Sequence, residues 1–265
     1  MLFDTHCHLD DQYFPDGAVD ALVRARSAGV SRFTCIGVGG LVAAQAALAI
    51  ARREPDVFAT VGVHPHDAAK ADAALIEQLV VLAADARVVA IGEVGLDYHY
   101  DHSPRELQRD VFRRFIGHAR ALKKPIVVHT RNAPADTLDI LEQEDAAQVG
   151  GIIHCFSEDR AFAERALELG FDLSFSGIVT FKNAKSIRDV AAWAPADRIL
   201  LETDSPYLAP QPLRGRPCEP AFVLHTARFV AELRGVSLES LAESTTRNAL
   251  RRFGLESSPS PVHHQ

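Results

Sequence analysis

Six residues of types that bind metal ions stand late in short apolar runs of the sequence. The stretch DTHCHLD at residues 4–10 carries His6 and His8. Residues two apart point to the same face of a strand, and paired imidazoles suit a metal ion better than an apolar core. The other four are Glu93 in IGEVGLD, His129 in PIVVHT, His154 in GIIHCF and Asp204 in ILLETD. Because such residues are rarely buried without a partner, their equivalent positions predict a single metal centre.

The number of these residues indicates more than one ion. A catalytic zinc usually takes about three protein ligands and leaves one position open for water. Four histidines and two carboxylates exceed that number, whereas two divalent ions that share a bridging carboxylate would use all six. Histidine-rich ligation suits zinc or manganese, while magnesium prefers oxygen ligands.

The elements that must position these residues are predicted from eight short apolar, β-branched runs. The runs are residues 2–9, 32–38, 57–63, 88–96, 125–130, 151–156, 171–177 and 199–204. They begin about 20 to 40 residues apart, which leaves room for a helix after each strand. Eight strands that alternate with helices predict a parallel sheet closed into a (β/α)8 TIM barrel, with its chemistry at the carboxyl ends of the strands. A doubly wound open sheet is the alternative, but GVGG at residues 37–40 is too short for the glycine-rich phosphate loop of that fold.

Local signals place the helices between these strands. Ser103-Pro104-Arg105-Glu106 predicts a capping box with proline at the first helical position. Leu107, Val111 and Phe115 are spaced as one apolar helical stripe. Gly170 is placed where a glycine ends a helix.

Composition sets limits on the class of protein. The chain has 265 residues, of which 47% are hydrophobic and 24% are charged, as in a compact domain. We expect one domain over residues 1–255 and a disordered tail over 256–265. The sequence has no run of about 18 uncharged apolar residues, and no basic stretch followed by an apolar segment at its start, so we expect no membrane span and a cytoplasmic location. Four scattered cysteines predict reduced thiols.

The net charge of −7 argues against a broad basic face for nucleic acid. It leaves open a small site whose positive charge comes from bound metal ions. We expect no obligate protein partner.

The blocks that carry these residues resemble those of a known family. They are DTHCHLD, GVHPH, IGEVGLDYHY, PIVVHTR, IIHCFS, SFSGIVTFKNA, LLETDSPYLAP, RGRPCEP and TTRNALRRF, in that order from residue 2 to about residue 254. The set is similar to the TatD-like metal-dependent deoxyribonucleases of the amidohydrolase superfamily of (β/α)8 barrels. Glu93 takes the position where many relatives of that superfamily carry a modified lysine. Two residues depart from the family pattern, Glu158 in place of the common Gly and Cys218 in place of a frequent Asn.

The resemblance implies hydrolysis of phosphodiester bonds in DNA, at the ends of single strands, by two divalent ions (zinc, manganese or magnesium). Asp204 is the candidate to orient or deprotonate the attacking water while it also binds a metal ion, and Glu93 is the catalytic bridging carboxylate. Three further residues are candidates for substrate contacts. His64 could touch a phosphate, Arg131 could clamp one, and Tyr207 could stack on a base.

Two other functions stay open at this point. One is a metal-dependent amidohydrolase of a small lactam, lactone or phosphoester, for which a lysine in place of Glu93 would have been the favourable sign. The other is a binding or scaffold barrel without catalysis, against which the six intact ligand candidates argue.

Overall fold

The computed structural model of the chain describes residues 1–9, 14 and 17–256. Within them, eight parallel strands form one sheet in sequence order, and an isolated bridge between Cys7 and Ser205 joins the first strand to the chain after the last one. The strands are β1 (Leu2–Cys7), β2 (Val30–Gly37), β3 (Val57–Val61), β4 (Val88–Asp97), β5 (Ile126–Arg131), β6 (Gly151–Ile153), β7 (Phe171–Phe175) and β8 (Ile199–Leu201). This arrangement confirms the predicted (β/α)8 TIM barrel.

Helices follow the strands along the chain and pack around them. Those of the described residues are α1 (Ala18–Ser27), α2 (Leu41–Arg53), α3 (Ala73–Ala83), α4 (Arg105–Leu122), α5 (Pro134–Gln143), α6 (Arg160–Glu168), α7 (Lys185–Trp193), α8 (Val223–Arg234) and α9 (Leu238–Arg252). None of these helices is long and apolar enough to cross a membrane. The predicted disordered tail lies outside the described residues from position 257 onward, so it stays a prediction.

Several strands are shorter than the apolar runs that predicted them. The ladders of β6 and β8 end at Ile153 and Leu201, so His154 and Asp204 lie in the connections just beyond them. All eight strands run parallel, and their carboxyl ends therefore open at the same end of the barrel.

Helix α4 corrects two of the sequence predictions. Val111 and Phe115 are buried as expected, but Leu107 is 43% exposed. Gln108 takes the inward position in the first turn. Its side chain accepts a hydrogen bond from the backbone N of Asp97 (2.8 Å) and donates one to the carbonyl oxygen of Asp97 (3.1 Å). Ser103 does not cap the helix, since its hydroxyl donates to the carbonyl of His66 at 2.7 Å instead. The predicted role of Gly170 is confirmed, because it follows the end of α6 with φ +83°.

The opposite end of the barrel is held by a buried ionic group. The Asp172 carboxylate of β7 is fully buried and accepts hydrogen bonds from Nε of Arg198 (2.6 Å) and Nε of Arg252 (2.7 Å). Asn248 of α9 donates to the carbonyl oxygens of Ala196 and Ile199, each at 2.9 Å. These contacts fix α9 against the amino ends of the strands, remote from the predicted metal ligands.

Candidate metal centre

The six predicted ligands converge at the carboxyl ends of the strands, where five of them line a cavity of about 960 Å³ and His6 lies beside Glu93. Glu93 is central among them and its side chain is 4% exposed. Its Oε1 lies 2.8 Å from Nδ1 of His129 and 3.4 Å from Nε2 of His154. Its Oε2 lies 3.4 Å from Nε2 of His6. The two oxygens of one buried carboxylate therefore face two different sets of imidazoles, as a carboxylate that bridges two cations must.

Asp204 completes the group on the side of the first strand. Its Oδ1 lies 3.6 Å from Nε2 of His6 and 3.6 Å from Nε2 of His8. The residue adopts a left-handed backbone conformation with φ +55°, and its N–H donates to the carbonyl of His6 at 2.9 Å. A non-glycine residue in this region is uncommon and is often found at functional sites.

The seam between the first and last strands is held by Asp4. Its carboxylate is fully buried and accepts hydrogen bonds from the backbone N (2.8 Å) and the hydroxyl (2.6 Å) of Thr203. Because Asp4 and Thr203 stand beside the segments that carry His6 and Asp204, this contact fixes the two segments against each other.

A close approach of β4 and β5 brings Glu93 and His129 together. Gly95 is paired with His129 in the parallel ladder. A Cβ added to Gly95 would lie 2.0 Å from the carbonyl oxygen of His129, and its φ of +145° also favours glycine. A side chain at this position would therefore separate the two strands.

Two further buried carboxylates stand behind the histidines. Oε1 of Glu202 lies 2.9 Å from Nδ1 of His154, and Oδ2 of Asp97 lies 3.2 Å from Nε2 of His129. Such carboxylates orient metal-binding imidazoles. Asp97 was missed in the sequence analysis. The period-two alternation that puts Asp97 on the same face of β4 as Glu93 could have found it.

His64, which the sequence predicts to contact substrate, lies among the candidate metal ligands themselves. Its Nε2 is 3.5 Å from Oε1 of Glu93, and its side chain is 17% exposed. Burial lowers the pKa of His64 to about 3, so the imidazole is neutral. The side chains of His64, Glu93 and His129 form one of the groups able to hold a metal ion.

The donor atoms fit metal ions. Within the described residues, four groups of three side chains could each hold a metal ion, because the ligand atoms inside each group lie within 4.8 Å of one another. One of these groups is His6, His8 and Glu93. Among the residues that the structure describes, neither ring nitrogen of His6 has a hydrogen-bond partner of good geometry, although the side chain is 1% exposed. A buried polar group without a partner is costly, and a bound cation would remove that cost.

The protonation states of His6 and Glu93 suit a cation. Burial, together with the neighbouring His154, lowers the pKa of His6. Burial alone would raise the pKa of Glu93, but the surrounding histidines, His154 first, outweigh it and hold the pKa well below its usual value. A neutral imidazole next to an ionised carboxylate is the donor pair that a divalent ion requires.

The remaining predicted site residues lie at the mouth of the cavity. Arg131 and Tyr207 both line it, and Tyr207 is 49% exposed with its ring centroid 6.1 Å from that of His8. The two residues that depart from the family pattern, Glu158 and Cys218, are not among the described residues that line the cavity.

A (β/α)8 barrel that gathers histidines and carboxylates at the carboxyl ends of its strands has the architecture of a metal-dependent enzyme. Residues 3–254 match the model of the family described as TatD related DNase. The chain belongs to this family.

Individual relatives agree with this assignment. The chain is 44% identical over 262 residues to the "uncharacterized metal-dependent hydrolase YcfH" of Escherichia coli (strain K12), with 97% of each chain covered. It is 34% identical over 260 residues to the "3'-5' ssDNA/RNA exonuclease TatD" of Pectobacterium atrosepticum, covering 96% of this chain and 100% of that one. Among solved structures, the TatD homologue YJJV of Escherichia coli K12 superposes with a TM-score of 0.90 at 29% identity, covering 96% of this chain and 98% of that one. The protein is therefore a metal-dependent hydrolase.

Proposed function

We propose that this hydrolase is a deoxyribonuclease that cleaves phosphodiester bonds at the ends of single-stranded DNA and uses two divalent metal ions. The observation that carries the proposal is the position of Glu93, whose two oxygens face His6 on one side and His129 and His154 on the other. The family model and the exonuclease name of one relative support a nucleic-acid substrate.

We assign the six converging residues, His6, His8, Glu93, His129, His154 and Asp204, as the ligands of the two ions. Four of the six are histidines, which favours zinc or manganese over magnesium. When bound, the ions supply the positive charge that acidifies a water molecule and neutralises the phosphodiester.

Asp204 and Arg131 supply the remaining chemistry. The Asp204 carboxylate lines the cavity and is 14% exposed, so it can reach a water molecule there and accept its proton. Arg131 is the one arginine or lysine among the described residues that line the cavity, and it is placed to hold a non-bridging phosphate oxygen. Tyr207 lies on the β8 side, where its exposed ring can stack on a base.

The charge of the protein favours action at strand ends over binding of long duplexes. The net charge is −7, and the cavity offers one guanidinium in addition to the bound ions. Because each neutralised phosphate adds to the salt dependence of binding, an enzyme of this kind should bind one or two phosphates and show a shallow salt dependence of kcat/KM.

The experiment uses end-labelled single-stranded DNA, the same sequence as a blunt duplex and as RNA, and metal-free protein loaded with zinc, manganese or magnesium. We expect a ladder of products from single strands that requires metal, with a salt slope of about one to two phosphates. Absence of metal-dependent cleavage would contradict the proposal, and hydrolysis of dihydroorotate or a lactone instead would show that the enzyme is a small-molecule amidohydrolase. A slope of six or more phosphates would contradict action at strand ends.

A further inference from the structure

Four side chains on the β3, β4 and β5 side of the cavity mouth form an aromatic and cationic surface, which we call the Tyr100 wall. They are His66, Tyr100, His102 and Arg131, and all four line the cavity that contains Glu93. The rings of Tyr100 and His102 are nearly parallel, at 7° with centroids 5.5 Å apart. The guanidinium of Arg131 lies 4.8 Å from the centroid of Tyr100, and His66 meets the Tyr100 ring edge-on at 5.4 Å.

The wall is fixed to the candidate metal centre by Asp97. Its Oδ1 accepts a hydrogen bond from the backbone N of Tyr100 at 2.9 Å. Its Oδ2 lies 3.0 Å from Nε2 of His66 and 3.2 Å from Nε2 of His129. The same buried carboxylate therefore holds a predicted metal ligand and two members of the wall, so the distance between the wall and the metal centre is set by the fold.

Packing does not account for these side chains. Tyr100 is 50% exposed and His102 is exposed as well. Within residues 1–9, 14 and 17–256, Arg131 makes no ion pair with a carboxylate, and its guanidinium rests on the tyrosine ring. The half-exposed ring of Tyr100, stacked with His102 and Arg131, offers a flat surface for an aromatic group, and a guanidinium without a carboxylate partner offers a donor for an adjacent anion.

A nucleotide of a single strand combines these two groups. Its base has a π face that stacks on aromatic side chains whatever the sequence, and its phosphate accepts hydrogen bonds from arginine. A base inside a duplex is already paired and stacked, so it cannot lie on the wall without being extruded.

We infer that the Tyr100 wall binds the base of a nucleotide next to the scissile phosphodiester. This inference rests on the proposed function. Binding of an unpaired base at the wall makes the enzyme select single-stranded substrates. In strand order β4 lies across the barrel from β8, which precedes Tyr207. The wall is thus a second stacking surface, on the far side of the metal centre from Tyr207.

The test combines variants of Tyr100 with substrates that lack one base. A short single-stranded oligonucleotide is prepared with an abasic residue at each of its last three positions in turn. We expect Tyr100→Leu to raise KM for the ordinary oligonucleotide by about fivefold to a hundredfold, the range for loss of one base–aromatic stack, with kcat changed less than about twofold. For one of the abasic substrates, the parent should show the same rise and Tyr100→Leu should add nothing to it.

A second variant and a control keep this test decisive. Tyr100→Trp retains a stacking face and should keep KM at or below the parent value, with an unchanged melting temperature. Arg105→Ala removes a similar contact, a guanidinium 4.3 Å from the ring of Tyr98 in the same connection, but neither residue lines the cavity. KM should therefore be unaffected, which separates loss of stacking from a loosened loop.

The failures of the two proposals differ. If the parent cleaves no oligonucleotide with any metal ion, both are wrong. If the parent cleaves DNA but Tyr100→Leu raises KM equally for ordinary and all abasic substrates, or Tyr100→Trp behaves as Tyr100→Leu does, only the assignment of the wall is overturned.

Discussion

Nδ1 of His154 lies 2.9 Å from Oε1 of Glu202, and the same oxygen accepts a hydrogen bond from the backbone N of Cys155 at 2.8 Å. This contact turns the imidazole so that Nε2 faces Glu93. Burial alone would lower the pKa of His154, but the carboxylates of Glu202 and Glu93 outweigh it and raise the pKa to about 10. Glu202 therefore increases the electron-donor strength of His154.

Glu202→Gln should weaken metal binding without removing a ligand. The amide oxygen can still accept a hydrogen bond from the backbone N of Cys155, but the amide carries no charge. Loss of a carboxylate that supports a metal-binding histidine typically costs about 10- to 100-fold in metal affinity. The measurement is a metal titration against a competing chelator, followed by activity at saturating metal, which should recover. An unchanged dissociation constant would mean that Glu202 only braces the loop.

His6→Ala and His8→Ala should each lower metal content and activity together, because both imidazoles face the same oxygen of Asp204 at 3.6 Å. Bound metal is measured per protein chain after removal of free ions, and circular dichroism serves as the control for folding. Full metal occupancy in the double variant would exclude both histidines as ligands.

Glu93→Ala should cost more activity than Arg131→Ala. The first change removes the carboxylate that lies between two sets of imidazoles. The second removes one charge-assisted contact, worth about 1.5–3 kcal/mol. The comparison is made on kcat with each variant at saturating metal. Equal losses in kcat would show that Glu93 does not bridge two ions.

Asp204→Asn should keep the fold and part of the metal but lose most of the turnover. Asparagine tolerates the left-handed conformation seen at φ +55° and still offers an oxygen ligand, whereas an amide cannot take up the proton of a water molecule. Metal content and single-turnover cleavage of a labelled oligonucleotide are measured on the same sample. A metal-loaded variant that cleaves at nearly the parent rate would exclude Asp204 as the base.

Asp172→Ala should destabilise the barrel and leave its chemistry intact. It leaves the guanidinium groups of Arg198 and Arg252, which are 25% and 14% exposed, without their carboxylate. Breaking a buried pair costs about 3–5 kcal/mol, and partial exposure reduces this to about 3 kcal/mol. Urea unfolding of metal-free protein measures the loss, while kcat per folded molecule should not change. A loss below about 1 kcal/mol would mean that solvent screens this group.

The sequence was sufficient for the features that depend on local periodicity. The eight apolar runs predicted the strands, and the polar residues late in those runs predicted that His129 and Asp204 lie at one end of the barrel, where His129 contacts Glu93 and Asp204 contacts His6. Features that depend on contacts between elements were missed or wrong. The hydroxyl of Ser103 binds the carbonyl of His66 instead of capping its helix, and His64 approaches Glu93 from the connection after β3, across two elements.

The seam between Asp4 and Thr203 has a consequence for the synthesis of the protein. The two residues are separated by 199 positions in the chain, and the hydrogen bonds between them join the first strand to the segment after the last. His6 and His8 are synthesised long before Asp204, and they cannot meet it until nearly the whole barrel has been made. A chain that ends before Asp204 thus holds an incomplete set of the proposed ligands, and metal binding by the complete set would mark the completion of folding.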